Sequence, residues 1–72
     1  MANNHEPDWE MFRARFKALR GDLSQTAFAR KIGLSRTSVS TYEHGYKRPA
    51  AKTINKICGI CGVSREWLLG NS

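Results

Sequence analysis

The chain has 72 residues and a mass of 8.1 kDa, enough for one small domain. Twelve Lys and Arg residues outnumber six Asp and Glu residues, so the formal net charge is +6 and the sequence pI is near 9.9. No apolar run approaches the roughly 18–20 residues that a membrane span needs, and the polar first seven residues do not resemble a secretory signal. We therefore expect a cytoplasmic protein. A chain this short rarely builds a deep catalytic cleft, so we expect a binding module and not an enzyme.

The positive charge is unevenly distributed along the chain. Three of the six acidic residues lie within the first ten residues, where there is no Lys or Arg. Residues 11–72 therefore hold twelve basic and three acidic side chains, a balance of +9. Within residues 30–56, seven basic side chains accompany one acidic residue, Glu43. This asymmetry favours an anionic partner, which is either a nucleic acid or an acidic membrane surface.

Apolar residues recur at helical spacing in five segments. The first three run from about Asp8 to Arg20, from Ser24 to Gly33 and from Ser35 to Gly45, while the fourth follows Pro49 and the fifth follows Ser64. No stretch alternates apolar and polar residues over the length of a strand. We predict an all-α bundle of five short helices over residues 8–70, preceded by a flexible tail at residues 1–7. The glycines expected to end the helices are Gly21, Gly33, Gly45, Gly62 and Gly70.

The second and third segments carry the clearest functional signal. Two helices separated by the three-residue turn 33–35 form a helix-turn-helix. Gly33 suits the turn, and Ala29 is small at the point where the second helix must cross closely. The residues expected to fix the crossing are Phe28, Ile32, Leu34, Val39 and Tyr42.

The exposed side of the third segment is predicted to consist of Arg36, Thr37, Ser40 and Thr41. Arg bonds guanine through two hydrogen bonds, Ser and Thr hydroxyls bond several base edges, and the Thr methyl group contacts thymine. A helix exposed only to water more usually carries Lys and Glu. The pattern is typical of a helix that enters a DNA major groove, and a helical hairpin with a merely polar surface is the simpler alternative.

From Leu23 to Gly45 the sequence resembles the helix-turn-helix of the Cro/CI-type (XRE-type) phage-repressor family. The matching residues are Gln25, Ala29, Gly33, Val39 and Glu43-His44-Gly45. The features that follow and also match are the loop Lys47-Arg48-Pro49, Gly62-Val63 and the segment 64–69 with its Trp-Leu-Leu ending. The resemblance covers about residues 8–70 and implies a lambda-repressor-like fold, with the helix-turn-helix formed by helices two and three.

The resemblance also implies sequence-specific binding to double-stranded DNA, as a homodimer on a palindromic operator. It implies that Arg36, Thr37 and Thr41 face base edges, with Ser40 at the margin. It places Gln25 on the DNA backbone, with a base contact as a second possibility, and Lys47 and Arg48 on phosphates. It implies that Ser35 caps helix three, with a phosphate contact as a further possibility. Glu43 is expected to be structural. Arg36 and Thr37 stand where many relatives carry Gln or Asn, so the operator sequence does not transfer.

The function implied is a transcriptional regulator in the bacterial cytoplasm, associated with the nucleoid, and specifically a repressor of phage or mobile-element type. A protein-binding adaptor or antitoxin-like module on the same fold is the alternative. We expect no cofactor, no metal, no small-molecule ligand and no membrane partner. The membrane alternative is set aside because the apolar face of the first segment is needed for the core.

Cys58 and Cys61 have the Cys-x-x-Cys spacing of metal half-sites and redox motifs. A structural zinc site needs four ligands, and the other obvious donors are only His5 and His44. Free Cys behaves as a small buried hydrophobe. We therefore expect both cysteines in the core, with a metal site or a functional thiol pair as alternatives.

For several side chains the sequence allows two interpretations. The cations of the first segment either contribute a general positive field or contact flanking phosphates; they are Arg13, Arg15, Lys17 and Arg20. His44 faces either solvent or a phosphate, and Tyr46 either packs on the domain or reaches the DNA backbone. Trp67 is expected in the core, and Leu69 is the candidate for the dimer interface.

Overall fold

The computed structural model describes residues 6–70. Its five helices are α1 (Trp9–Arg20), α2 (Gln25–Ile32), α3 (Arg36–His44), α4 (Ala51–Cys61) and α5 (Arg65–Leu68). No strand occurs among these residues. The predicted all-α bundle of five short helices is therefore confirmed. Residues 1–5, most of the predicted tail, lie outside the described residues.

Local capping explains where the helices begin and end. The side chains that accept a backbone N–H at a helix start belong to Asp8, Ser24, Ser35 and Ser64. The residue before α4, Ala50, provides no side-chain cap. All five glycines predicted at helix ends have positive φ. These signals are local, which is why the sequence located the helix limits.

The core forms where the apolar faces of the helices meet. The ring centroids of Phe12 and Phe16 on α1 lie 5.3 Å apart, and Phe16 meets the edge of Phe28 on α2 at 5.4 Å. The aliphatic residues fully enclosed around them are Ile32, Val39, Ile54, Ile57 and Leu68. Leu34 and Tyr42 are partly buried against this core. The residues predicted to fix the α2–α3 crossing all take part.

The two ends of the described chain meet beside α1. The backbone N–H of Asp8 donates to the carbonyl oxygen of Leu69 at 2.7 Å. Leu69 is only 6% exposed and belongs to the core, so its assignment to a dimer interface is wrong. The reason is that α5 folds back onto α1 and carries Leu69 inward. Trp67 packs against the core as expected.

Both cysteines lie in or against the core, as predicted. Cys58 is 8% exposed, and Cys61 is partly buried against the core. Burial raises the pKa of both thiols, which keeps them in the less reactive protonated form. Within residues 6–70, no three His, Cys, Asp or Glu residues lie together in a way that could hold a metal ion. His5, one of the two possible further donors, is outside the described residues.

The helices are short throughout the described part of the chain. None of them has both the length and the apolar character that crossing a membrane requires.

Candidate nucleic-acid interface

The turn between α2 and α3 is built around Gly33. Its φ of +73° is a left-handed conformation, which costs an L-residue with a side chain about 1–2 kcal/mol. The next backbone N–H, of Leu34, donates to the carbonyl oxygen of Ala29 at 2.9 Å. Lys56 reaches over from α4 and donates to the Gly33 carbonyl oxygen at 3.1 Å. The turn therefore ends α2 and fixes the direction in which α3 starts.

The two sides of α3 differ sharply. Val39 and Glu43 face inward and are buried. Arg36 and Thr37 are exposed, while Ser40 and Thr41 are partly exposed. The structure thus brings together on one accessible face the three residues predicted to face base edges and Ser40, predicted at their margin. They are a cation followed by three small hydroxylated side chains.

Hydrogen bonds within α3 define what this face offers to a partner. The Thr41 hydroxyl donates to the Thr37 carbonyl oxygen at 2.7 Å, so it presents its oxygen as an acceptor, together with its methyl group. Ser35 accepts the Ser38 backbone N–H and donates to the Ser38 hydroxyl, both at 3.0 Å. Its capping role is confirmed. A phosphate contact by the Ser35 hydroxyl would replace the bond to Ser38.

Glu43 joins three helices. Its carboxylate accepts two hydrogen bonds from Arg20 of α1, at 2.6 and 3.0 Å, and one from Gln25 of α2, at 3.1 Å. Arg20 also donates to the Leu23 carbonyl oxygen at 3.0 Å. The expected structural role of Glu43 is therefore visible as a buried ion pair that links α3 to α1 and α2.

The environment of Glu43 keeps its side chain ionised. Burial by itself would raise the pKa, but the hydrogen bonds from Arg20 and Gln25 and the charge of Arg20 outweigh it and hold the pKa of Glu43 below its ordinary value. Glu43 is the only carboxylate between residues 23 and 65. Because it is 6% exposed and paired, the accessible surface of α2, α3 and the loop after α3 presents positive charge without an exposed carboxylate.

Gln25 is half-buried at the start of α2, where it is tied to the same carboxylate. One N–H of its amide goes to Glu43, which leaves the second N–H and the carbonyl oxygen of the amide for another partner. The side chain is thus held in a fixed direction in the free protein. The sequence predicted the position of Gln25 but not this bond.

The loop after α3 carries the two predicted phosphate-binding cations on the outside of the molecule. Lys47 and Arg48 are both exposed. The Arg48 guanidinium lies 5.4 Å from the centre of the Trp9 ring, a cation–π distance that rests the loop on α1. The loop starts at Gly45, whose φ is +79°. A Cβ there would lie 3.1 Å from the Arg13 side chain, so glycine also permits this close approach.

Three cations of α1, whose roles the sequence left open, have partners inside the protein. Arg13 donates to the Glu43 carbonyl oxygen at 3.1 Å. Arg15 donates to the Trp67 carbonyl oxygen and lies 5.0 Å from the centre of the Trp67 ring. Arg20 pairs with Glu43. These arginines hold α1 to α3 and α5, and Lys17 alone of the four stays exposed on α1 without such a bond among residues 6–70.

His44 and Tyr46 form an exposed pair at the end of α3, which sequence reasoning did not foresee. Their rings are stacked, with centroids 5.4 Å apart and planes 12° from parallel. Tyr46 is 79% exposed. Nδ1 of His44 lies 2.8 Å from the Ser40 carbonyl oxygen, so this nitrogen carries the hydrogen and donates it.

Comparison with known proteins places this geometry in context. The model of the helix-turn-helix family matches residues 16–68. The chain is 41% identical over 49 residues to the antitoxin PezA of Streptococcus pneumoniae, covering 68% of this chain and 31% of that protein. It is 38% identical over 61 residues to YonR of Bacillus subtilis, an SPbeta prophage-derived HTH-type transcriptional regulator, covering 82% of this chain and 56% of that protein. The chain thus spans about a third and about half of these relatives.

Solved structures show the same fold. The P22 c2 repressor protein, solved in complex with a synthetic operator, matches with a TM-score of 0.73 at 22% identity, covering 86% of this chain and 97% of that one. The hypothetical transcription factor NHTF from Neisseria matches with a TM-score of 0.73 at 28% identity, covering 96% and 86%. The predicted lambda-repressor-like arrangement is therefore confirmed as a fold.

Proposed function

Because the chain belongs to the helix-turn-helix family, we propose that it is a sequence-specific regulator of transcription that binds double-stranded DNA through α3. Within that class we propose a repressor of phage or mobile-element type, which acts in the cytoplasm by blocking access of the polymerase. Its similarity to a prophage-derived transcriptional regulator supports this assignment. The proposal is one of binding and not of catalysis, in keeping with a family of DNA-binding regulators.

The accessible face of α3 is the observation that carries the proposal. It combines one arginine and three short hydroxylated side chains, and the one carboxylate of the surrounding segment is buried beneath it. Such a face can lie close to base edges without a bulky or anionic side chain in the way. We propose that Arg36, Thr37 and Thr41 meet the bases, with Ser40 at the margin.

The phosphate contacts are proposed for the residues that flank this face. Lys47 and Arg48 extend from the loop after α3, while Gln25 and Ser35 stand at the starts of α2 and α3. The second amide N–H of Gln25 is held ready by the bond to Glu43. Contacts of this kind position the protein without reading sequence.

We propose that the chain binds as a homodimer on a palindromic site. Two copies of α3 would then enter successive major grooves about 34 Å apart. The domain responsible is residues 8–70, with residues 1–7 as a tail outside it.

The decisive experiment is selection of bound duplexes from a random pool by the wild-type chain. We expect enrichment of one inverted repeat whose half-sites have their centres about one helical turn apart. A pool that stays random after several rounds would remove the proposal of sequence-specific binding. Enrichment of a half-site without its inverted repeat would support sequence-specific binding and contradict the proposed dimer.

Substitution of Arg36 and Lys47 tests the division of roles between bases and backbone. Arg36→Ala should relax preference at one base pair of the half-site and cost about 1–3 kcal/mol on the selected duplex. Lys47→Ala should weaken selected and random duplexes by the same factor. Fluorescence anisotropy on both duplexes measures the two effects. Unchanged discrimination in Arg36→Ala would show that Arg36 does not contact a base.

The antitoxin-like alternative rests on the similarity to PezA, which covers 31% of that relative. It predicts a defined protein partner and no enrichment of any duplex. Affinity capture with the wild-type chain, run beside the duplex selection, separates the two functions.

A further inference from the structure

We propose that His44 binds a DNA phosphate only in its protonated form, so that each DNA-bound copy of the chain takes up a proton at this residue. The inference rests on the proposed function, since it presumes that α3 lies on DNA. His44 is not among the residues proposed above to contact bases or phosphates. It follows from the hydrogen bond that His44 already makes.

The bond to Ser40 fixes which ring nitrogen carries hydrogen. A carbonyl oxygen only accepts, so Nδ1 of His44 must be the donor across the 2.8 Å to the Ser40 carbonyl oxygen. In the neutral ring, the other nitrogen, Nε2, then has no hydrogen and is an acceptor. Two acceptors repel, so a neutral His44 cannot bond a phosphate oxygen through Nε2. Only the imidazolium, with a hydrogen on both nitrogens, donates to Ser40 and to a phosphate together.

The position of the ring points to the DNA backbone. His44 lies at the carboxyl end of α3 and is exposed, four residues beyond Ser40 on the same side of the helix. In a helix-turn-helix the amino-terminal part of the second helix meets the base edges. Its carboxyl end therefore lies toward the flanking backbone, next to the loop that carries Lys47. Tyr46 stacks on the imidazole and acts as a positioning residue for its plane.

The charged and titratable groups on the elements around this helix end favour an external anion. The group on α3 itself is Glu43, which is turned inward to Arg20. The other groups are Glu10, Arg13 and Lys17 on α1 and Tyr46, Lys47 and Arg48 in the loop. Glu10, the exposed carboxylate among them, lines a cleft that it shares with the cations Arg13, Lys47 and Arg48. Among residues 6–70, no carboxylate pairs with His44, so a phosphate would supply the negative charge that the imidazolium lacks.

The test measures affinity for the selected duplex at pH 5.5 and pH 7.0, a range in which imidazole side chains change charge. The chain has two histidines, so His5→Gln is a matched control for His44→Gln. We expect wild type and His5→Gln to bind about threefold more tightly per bound subunit at pH 5.5. His44→Gln should bind equally at both pH values and more weakly than wild type at each, with the larger deficit at pH 5.5.

A permanent cation provides a second, independent variant. His44→Arg should bind at both pH values about as tightly as wild type does at pH 5.5, because its charge does not depend on pH in this range. Tyr46→Phe keeps the stacking and should keep the pH dependence, whereas Tyr46→Ala should reduce it. Thermal unfolding of each variant at both pH values separates a binding effect from a folding effect.

The possible contrary results are distinct. The inference fails if wild type binds the selected duplex with the same affinity at both pH values. It also fails if His44→Gln keeps the wild-type pH dependence of binding. It also fails if His44→Gln loses the same factor at both pH values, which would indicate a contact by the neutral ring. Absence of selective DNA binding at either pH would instead overturn the proposed function, and the inference with it.

Discussion

At the scale of single residues, Glu43 shows how one side chain serves both the fold and the candidate interface. It holds Arg20 and Gln25, which come from two other helices, and its burial removes the only carboxylate of residues 23–65 from the accessible surface. An exposed acid at this position would repel phosphates, and an apolar residue would leave Arg20 and Gln25 without their partner. The same contact thus stabilises the bundle and keeps the face uniformly positive.

Glu43→Gln should lower the free energy of unfolding by about 2–3 kcal/mol at pH 7, because it leaves the partly buried Arg20 guanidinium without its counter-charge. Urea denaturation followed by circular dichroism measures the change. Glu66→Gln is the matched control: Glu66 is exposed on α5, and the same substitution there should change stability by less than about 0.5 kcal/mol. Equal effects at the two positions would contradict the role assigned to Glu43.

The pH dependence of stability tests the same pair. The pKa of Glu43 is lowered in the folded state, so its contribution is fully present above the unfolded pKa of about 4.3 and is lost as the pH falls through the folded pKa. Acid should therefore destabilise wild type more than Glu43→Gln. We expect the stability difference between the two proteins to narrow below about pH 4.5, measured by urea denaturation at each pH. A constant difference down to pH 3 would show that the ion pair does not contribute.

At the scale of elements, the helix-turn-helix depends on one backbone conformation. Gly33 ends α2 with a left-handed φ, and the direction of α3 follows from it. Gly45 repeats this at the end of α3, where it also leaves room for Arg13. The element that presents the candidate interface is therefore set at both ends by glycine.

Gly33→Ala should destabilise the domain by about 1–2 kcal/mol, because an alanine resists the left-handed conformation and its Cβ would displace Lys56 from the Gly33 carbonyl oxygen. Gly59→Ala is the matched control. Gly59 lies inside α4, and nothing lies within 4 Å of an added Cβ, so the change should stabilise by about 0.5–1 kcal/mol. Thermal unfolding of both variants compares them directly. A Gly33→Ala variant more stable than Gly59→Ala would contradict the requirement for glycine at the turn.

At the scale of the whole molecule, the basic side chains behind the net charge of +6 have two different roles. Arg13, Arg15 and Arg20 are directed into the protein, where they join α1 to α3 and α5. The exposed cations that remain include Arg36 on α3 and Lys47 and Arg48 in the loop after it. The charge that forms the candidate interface is thus smaller, and more localised, than the composition suggests.

The salt dependence of binding measures that localised charge. If a dimer contacts about six to eight phosphates, log affinity should fall with log salt concentration at a slope of about −5 to −7. Lys47→Ala should make the slope shallower by about 1 for each bound subunit. Arg65→Ala is the control, since α5 packs chiefly on α1 and α4, and its slope should match wild type. A wild-type slope near zero would exclude binding to DNA phosphates.

The sequence by itself determined the five helices, the turn at Gly33 and the small polar face of α3. These features depend on caps, glycines and apolar spacing, which act within a few residues and so are visible in the chain order. The same reasoning predicted the placement of Arg36, Thr37, Lys47 and Arg48 on the accessible surface. Their contacts with DNA stay predictions.

Only the tertiary structure decided which side chains are held by partners far along the chain. Glu43 bonds Arg20 across 23 residues, and Arg15 reaches Trp67 across 52. Likewise, the return of α5 onto α1 buried Leu69, which the sequence had suggested for a dimer contact. Such pairings depend on how the helices pack, and helix packing sets distances that no local pattern contains. For that reason the sequence located the face of α3, and the fold determined which cations remain available to it.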